Sequence, residues 1–101
     1  MCGIAGFIGE DQALIELMTS FLVHRGPDGN AVWTGLGASI GHARLAILDP
    51  SPLGNQPMWN EDKTIVIVFN GEIFNFKRLR EQEKMDCKTG TDTEVLLKLY
   101  E

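Results

Sequence analysis

The run Thr64-Ile65-Val66-Ile67-Val68-Phe69 constrains the fold more than any other stretch of the chain. All but one of its residues are apolar and most are β-branched, the composition of a strand in a sheet that is covered on both sides. Asn60-Glu61-Asp62-Lys63 predicts a hairpin-like turn before it, and the run ends abruptly at Asn70-Gly71-Glu72. A doubly covered strand requires other layers, so the remaining segments are read as candidates for those layers.

Residues 2–8 alternate small and branched apolar groups and predict a second strand buried on both faces. Gly9 and Asp11 open a helix in which Leu14, Leu17, Met18 and Phe21 form an i, i+3, i+4, i+7 stripe widened by Leu22, the expected core face. Gly26-Pro27-Asp28-Gly29 must lie beyond that helix, as a turn. Residues 31–35 and 38–48 predict two strands joined through Gly35-Leu36-Gly37, the second long and mostly apolar yet carrying His42 and Arg44. Asp49-Pro50-Ser51-Pro52 stops it, and a loop leads to Gln56-Pro57-Met58. Asn75 can cap a helix from Phe76 to about Lys84, and Thr91-Asp92-Thr93-Glu94 fits a capping box for a last helix. No internal repeat or low-complexity linker divides the chain, so a single domain or part of one is expected.

Composition narrows the function classes. A net charge of −5 and a pI near 4.9 leave no basic stripe for nucleic acid or an anionic membrane. No run approaches the ~18 apolar residues that span a bilayer, and the N-terminus has no basic segment followed by an apolar one. Cys2 and Cys87, the only cysteines, form neither a CxxC pair nor a metal spacing. A reducing, cytoplasmic setting fits them better than a disulfide between them.

Met1-Cys2-Gly3 carries the first chemical signal. With Met1 removed, Cys2 holds a thiol and a free α-amine within one residue. Their ordinary pKa values, about 8.5 and about 7.7–8.0, let the amine serve as base for the sulfur near neutral pH. With Met1 retained, that nitrogen is an amide and the device fails. Read from the residues alone, Asn70-Gly71 is a turn, Arg44 is equally a ligand partner or an edge-strand arginine facing solvent, and Asp92 is a charge at a helix N-terminus. His24 and His42 have no third ligand at zinc spacing and are taken as structural. Trp33 and Trp59 are expected to pack, Cys87 to be an inert small hydrophobe, Arg25 to order the loop over a pocket, and Asp28 to hold its turn.

Six segments, in order, together resemble a known family. They are residues 1–7, His24-Arg25-Gly26-Pro27-Asp28-Gly29, residues 41–49 around Arg44, Gln56-Pro57-Met58, Phe69-Asn70-Gly71-Glu72-Ile73-Phe74-Asn75, and Thr91-Asp92-Thr93-Glu94-Val95. The chain is similar to the N-terminal glutaminase domain of the class II glutamine amidotransferases, within the N-terminal nucleophile hydrolases. The Arg-Gly-Pro-Asp and Asn-Gly-Glu-Ile pieces most resemble the asparagine synthetase branch. The resemblance implies an α+β fold, an αββα sandwich of antiparallel sheets flanked by helices, and hydrolysis of the glutamine side-chain amide through a Cys2 thioester. It implies Cys2 as nucleophile, Asn70 and Gly71 as oxyanion donors, Arg44 for the α-carboxylate and Asp92 for the α-ammonium. Leu45, Ala46, Ile47 and Leu48 would line the same pocket, mainly through backbone groups, with Glu72 beside the oxyanion pair.

Two departures from the family pattern stand out. The segment between Arg80 and Thr91 is a few residues shorter than usual, which bears on the placement of Asp92. Residues 1–101 are expected to be the N-terminal half, or a shortened version, of the amidotransferase domain, with the synthetase domain absent. No serine-and-glycine-rich pyrophosphatase loop occurs, so no cofactor is expected in this chain; ATP and Mg²⁺ belong with the absent part. Glutamine and an ammonia-accepting synthetase domain or subunit are the expected partners, and an exposed sheet is expected to favour self-association. Two alternatives stay open: a non-catalytic glutamine-binding remnant, and an amidotransferase supplying a different acceptor.

Overall fold

A computed structural model describes residues 2–101. It is an α+β fold of two antiparallel sheets and three helices. The first sheet has the order β1-β3-β2, from β1 (Gly3–Ile8), β2 (Gly29–Gly35) and β3 (Ala38–Arg44). β1 pairs with β3 from Gly3↔Ala43 to Ile8↔Ala38, and β2 with β3 from Gly29↔Arg44 to Gly35↔Ala38. Leu36 and Gly37, both at positive φ, turn the β2–β3 hairpin in two residues. The second sheet is a short pair, β4 (Met58–Trp59) and β5 (Val66–Ile67).

α1 (Gln12–Ser20) covers one face of the first sheet, but not through the stripe its periodicity suggests. Ile15 and Thr19 are its buried residues, while Leu14, Leu17 and Phe21 are 42%, 55% and 70% exposed. The chain's approach to the helix explains the rotation. Asp11 caps the helix by accepting from the Leu14 N–H, and its own N–H donates to Ser39 Oγ, whose hydroxyl donates to the Gly9 carbonyl. That triangle pins the first turn against β3 and turns Ile15 inward. Thr19 lies flush on Gly41, where a Cβ would sit 1.9 Å from Thr19 Oγ1.

Three expected strands differ from their predictions. β1 is not buried on both faces: its burial alternates, and Ile4 and Ile8 are exposed. β3 ends at Arg44 rather than Leu48. Its partner strands run out there, and the next N–H groups go to side chains, Leu45 to Cys2 Sγ at 3.3 Å and Ala46 to Asp28 Oδ2 at 2.8 Å. The 64–69 run pairs only at Val66–Ile67 and is half-buried rather than doubly covered. Asn60 Oδ1 takes the N–H groups of Thr64 and Ile65, Gln56 Oε1 takes that of Phe69, and Pro57, before β4, has no N–H to offer a ladder.

α2 (Phe76–Gln82) stops short of Lys84, and Asn75 precedes it without a side-chain capping bond. α3 (Asp92–Tyr100) begins as expected, with Thr91 Oγ1 accepting from the Glu94 N–H. The reciprocal half of the capping box is replaced: Glu94 accepts from the N–H groups of Lys88 and Thr89, which folds the preceding turn onto the helix start. Trp33 of β2 and Trp59 of β4 join the two sheets edge to face, 5.2 Å between ring centres.

Candidate active site

The face of β3 away from α1 carries His42 and Arg44, and the open end of that face becomes a pocket. Its wall combines five separated pieces of chain: Cys2, the segment from Arg44 to Leu48, Gly54 with Gln56, the turn Phe69–Glu72, and Thr91–Thr93 at the start of α3. Counting the open solvent at its mouth, the space between these pieces is about 590 Å³.

Cys2 lies just before β1, beside the end of β3. The Leu45 N–H donates to its Sγ at 3.3 Å, and Arg25 Nε donates to its carbonyl at 3.0 Å. The sulfur is therefore aimed by the residue that follows β3, and its backbone is held by the 22–28 turn. That turn is anchored in its own right, with the Asp28 N–H on the Arg44 carbonyl at 2.9 Å.

Arg44 is 6% exposed and sits on the central strand, so it is not a solvent-facing edge residue. Its terminal nitrogens hold the loop that follows. Nη1 donates to the Ser51 carbonyl at 2.7 Å and to Asn55 Oδ1 at 2.8 Å; Nη2 donates to the Leu48 carbonyl at 3.2 Å and to that of Asp49. Asp49 ties the same loop to the turn before α3 by accepting the Gly90 N–H at 2.9 Å. The Ser51 hydroxyl and then the Gly90 N–H keep the Asp49 carboxyl below its ordinary value.

The turn at 69–72 forms the opposite wall. Asn70 Oδ1 is buried without a hydrogen-bond partner among the described residues, and Gly71 and Glu72 are exposed at the pocket. Asp92 is buried, and one of its oxygens accepts the Ile73 N–H at 2.9 Å, which joins the turn to α3. His42 packs beneath, 1% exposed, and among the described residues neither ring nitrogen has a partner in ordinary hydrogen-bond geometry. Burial lowers its pKa; the nearby Phe69 carbonyl opposes that shift and the Arg44 charge adds to it.

Nine of the ten sequence-predicted site residues meet in this one pocket: Cys2, Arg44, Leu45, Ile47, Leu48, Asn70, Gly71, Glu72 and Asp92. Ala46 does not line it. Its N–H is turned to Asp28, and it faces a separate groove with Pro50, Pro52 and Asn55. The pocket adds Gly54, Gln56, Phe69, Thr91 and Thr93, to which the sequence reading gave no site role. Gln56 carried a signal, a polar residue within a short quoted motif, but nothing local says where its amide points. His24 is exposed and stands outside the pocket.

A model of the glutamine amidotransferase domain matches residues 1–101. Asparagine synthetase [glutamine-hydrolyzing] 3 of Arabidopsis thaliana is 47% identical over all of this chain and 18% of its own length. Asparagine synthetase [glutamine-hydrolyzing] 2 of the same plant is 46% identical with the same coverage, and asparagine synthetase [glutamine-hydrolyzing] of Sandersonia aurantiaca is 43% identical, with 20% of its length covered. The chain thus spans about a fifth of the length of these relatives. With a thiol, a buried arginine, an Asn-Gly turn and a buried aspartate around one pocket, and the family match running from end to end, the chain belongs to the glutamine amidotransferase domain family.

Proposed function

We propose that this domain is the glutaminase module of an asparagine-synthetase-type amidotransferase, with Cys2 as its nucleophile. The observation that carries the reading is the convergence of Cys2, Asn70-Gly71 and Asp92 on one pocket from three distant parts of the chain. After removal of Met1, the Cys2 α-amine takes the thiol proton as Sγ attacks the amide carbon of glutamine. The Asn70 side-chain NH2 and the Gly71 N–H hold the oxyanion. The amine then passes the proton to the leaving nitrogen, ammonia departs, and water hydrolyses the γ-glutamyl thioester to glutamate.

The Ile73 N–H engages one Asp92 oxygen, and in this reading the other receives the substrate's α-ammonium. Arg44 supplies positive charge for the α-carboxylate. Because its four terminal N–H groups hold the loop, the carboxylate meets Nε–H or displaces a loop carbonyl. Leu45, Ile47 and Leu48 line the adjacent wall, and Glu72 lines the same pocket. No cofactor enters this hydrolysis; ATP and Mg²⁺ belong to the synthetase part that takes up the ammonia to make asparagine. We take the compartment to be the cytoplasm, where a free thiol stays reduced.

The test is direct. Met1-processed chain incubated with glutamine releases glutamate and ammonia; Cys2→Ala lowers the release by at least ~10³-fold, and Asn70→Ala lowers kcat by about 10²–10³-fold. Equal release from the parent chain and Cys2→Ala sinks the proposal.

A further inference from the structure

We infer that Gln56 is a positioning residue that fixes the two ends of the substrate site relative to each other, an inference that rests on reading the pocket as a glutamine site. Gln56 is 7% exposed, and its amide spans two walls. Its Oε1 accepts the Phe69 N–H at 2.6 Å, directly before Asn70. Its Nε2 donates to Thr93 Oγ1 at 3.1 Å, directly after Asp92. Thr93 is itself 4% exposed, so the bond to it is buried, while the bond to the half-buried Phe69 is part-buried.

The chemistry of the amide suits the bridge. A glutamine side chain presents one acceptor and one donor at its tip, and here the acceptor serves a backbone N–H while the donor serves a hydroxyl. The Phe69 N–H, denied a place in the β4–β5 ladder, has this oxygen as its partner. One rigid group therefore sets both the turn expected to meet the developing oxyanion and the helix start expected to meet the α-ammonium. Small displacements between such groups cost large factors in rate, because the bound molecule has to satisfy both at once.

The test uses the full chain and a chloromethyl-ketone analogue of glutamine, whose carbon alkylates Cys2 with loss of chloride. Intact mass and peptide mapping give a half-saturating concentration and a saturating rate, each rate divided by the same variant's rate with iodoacetamide to correct for thiol access. Gln56→Met keeps the volume and removes both bonds. It raises the half-saturating concentration about tenfold and lowers the normalised saturating rate about tenfold. Thr93→Val removes only the helix arm and raises the half-saturating concentration alone, and combined with Gln56→Met it adds nothing further to that quantity. A purely structural role would change the fraction of chain that labels and leave both parameters where they were. A Gln56→Met chain with both parameters within about twofold of the parent overturns the bridge. So does an unmoved half-saturating concentration in Thr93→Val, the variant that decides if Gln56→Met does not fold. Absence of saturable labelling in the parent chain overturns the glutamine-site reading instead, and the inference with it.

Discussion

His42 shows how one buried residue ties the stability of the fold to pH. Its imidazole is enclosed without ordinary hydrogen bonds among the described residues, and burial holds its pKa below the 6.5 of a free histidine. The unfolded chain therefore binds a proton at a higher pH than the folded chain does. Stability is complete above about 6.5 and declines as pH falls from there toward the folded pKa. Urea midpoints measured at pH 7.5 and pH 5 should fall toward acid, and His42→Asn should flatten that dependence. A parent chain equally stable at both values would remove the argument. Most of the site was legible at this scale because it is written in short contiguous motifs: Cys2 at the start, Asn70-Gly71 after an apolar run, Asp92 beside a capping threonine. The exceptions have a physical cause. Ala46 and Leu45 differ by one position, yet Asp28 draws one N–H outward while Cys2 keeps the other beside the pocket. No local pattern encodes that choice. Gln56 escaped for the same reason, since its partners lie 13 and 37 residues away.

Elements were legible where their ends are set locally and misread where a neighbour sets them. The α3 cap, the α1 cap at Asp11 and the β2–β3 turn all depend on residues within a few positions of one another. The inward face of α1 depends on Ser39, far along the chain, and the length of the 64–69 strand depends on the brevity of its only partner. A prediction at this scale concerns the turn after α1. Gly26 is buried where a Cβ would lie 2.2 Å from the Ala43 carbonyl oxygen and 2.3 Å from its carbon, both backbone atoms of β3, the central strand of the first sheet. Neither can move aside as a side chain could. Gly26→Ala should therefore cost about 2 kcal/mol or more in urea unfolding, and should free Cys2 by pushing away the turn that carries Arg25. An unchanged midpoint would show that the turn yields without cost.

At the scale of the whole molecule, the α+β architecture matched the sequence reading, but the distribution of apolar surface did not. Leu14 and Leu17 on α1, Phe21 just after it, and Ile4 and Ile8 on β1 are all exposed. A second apolar groove runs between β5 and α3, lined by Ile65, Val66, Ile67, Leu96, Leu97 and Tyr100. Exposed apolar surface of this kind favours association. Sedimentation velocity should show the mean mass rising with protein concentration, and Leu17→Glu together with Phe21→Glu should reduce that rise. A mass of one chain at every concentration would count against it. The Trp33–Trp59 contact has an optical consequence at this scale. These are the only two indoles in the chain, one on each sheet, with their planes at 83°. The tryptophan signal of these 101 residues thus originates at the joint between their layers, a natural gauge of whether the two halves of the pocket are still facing each other.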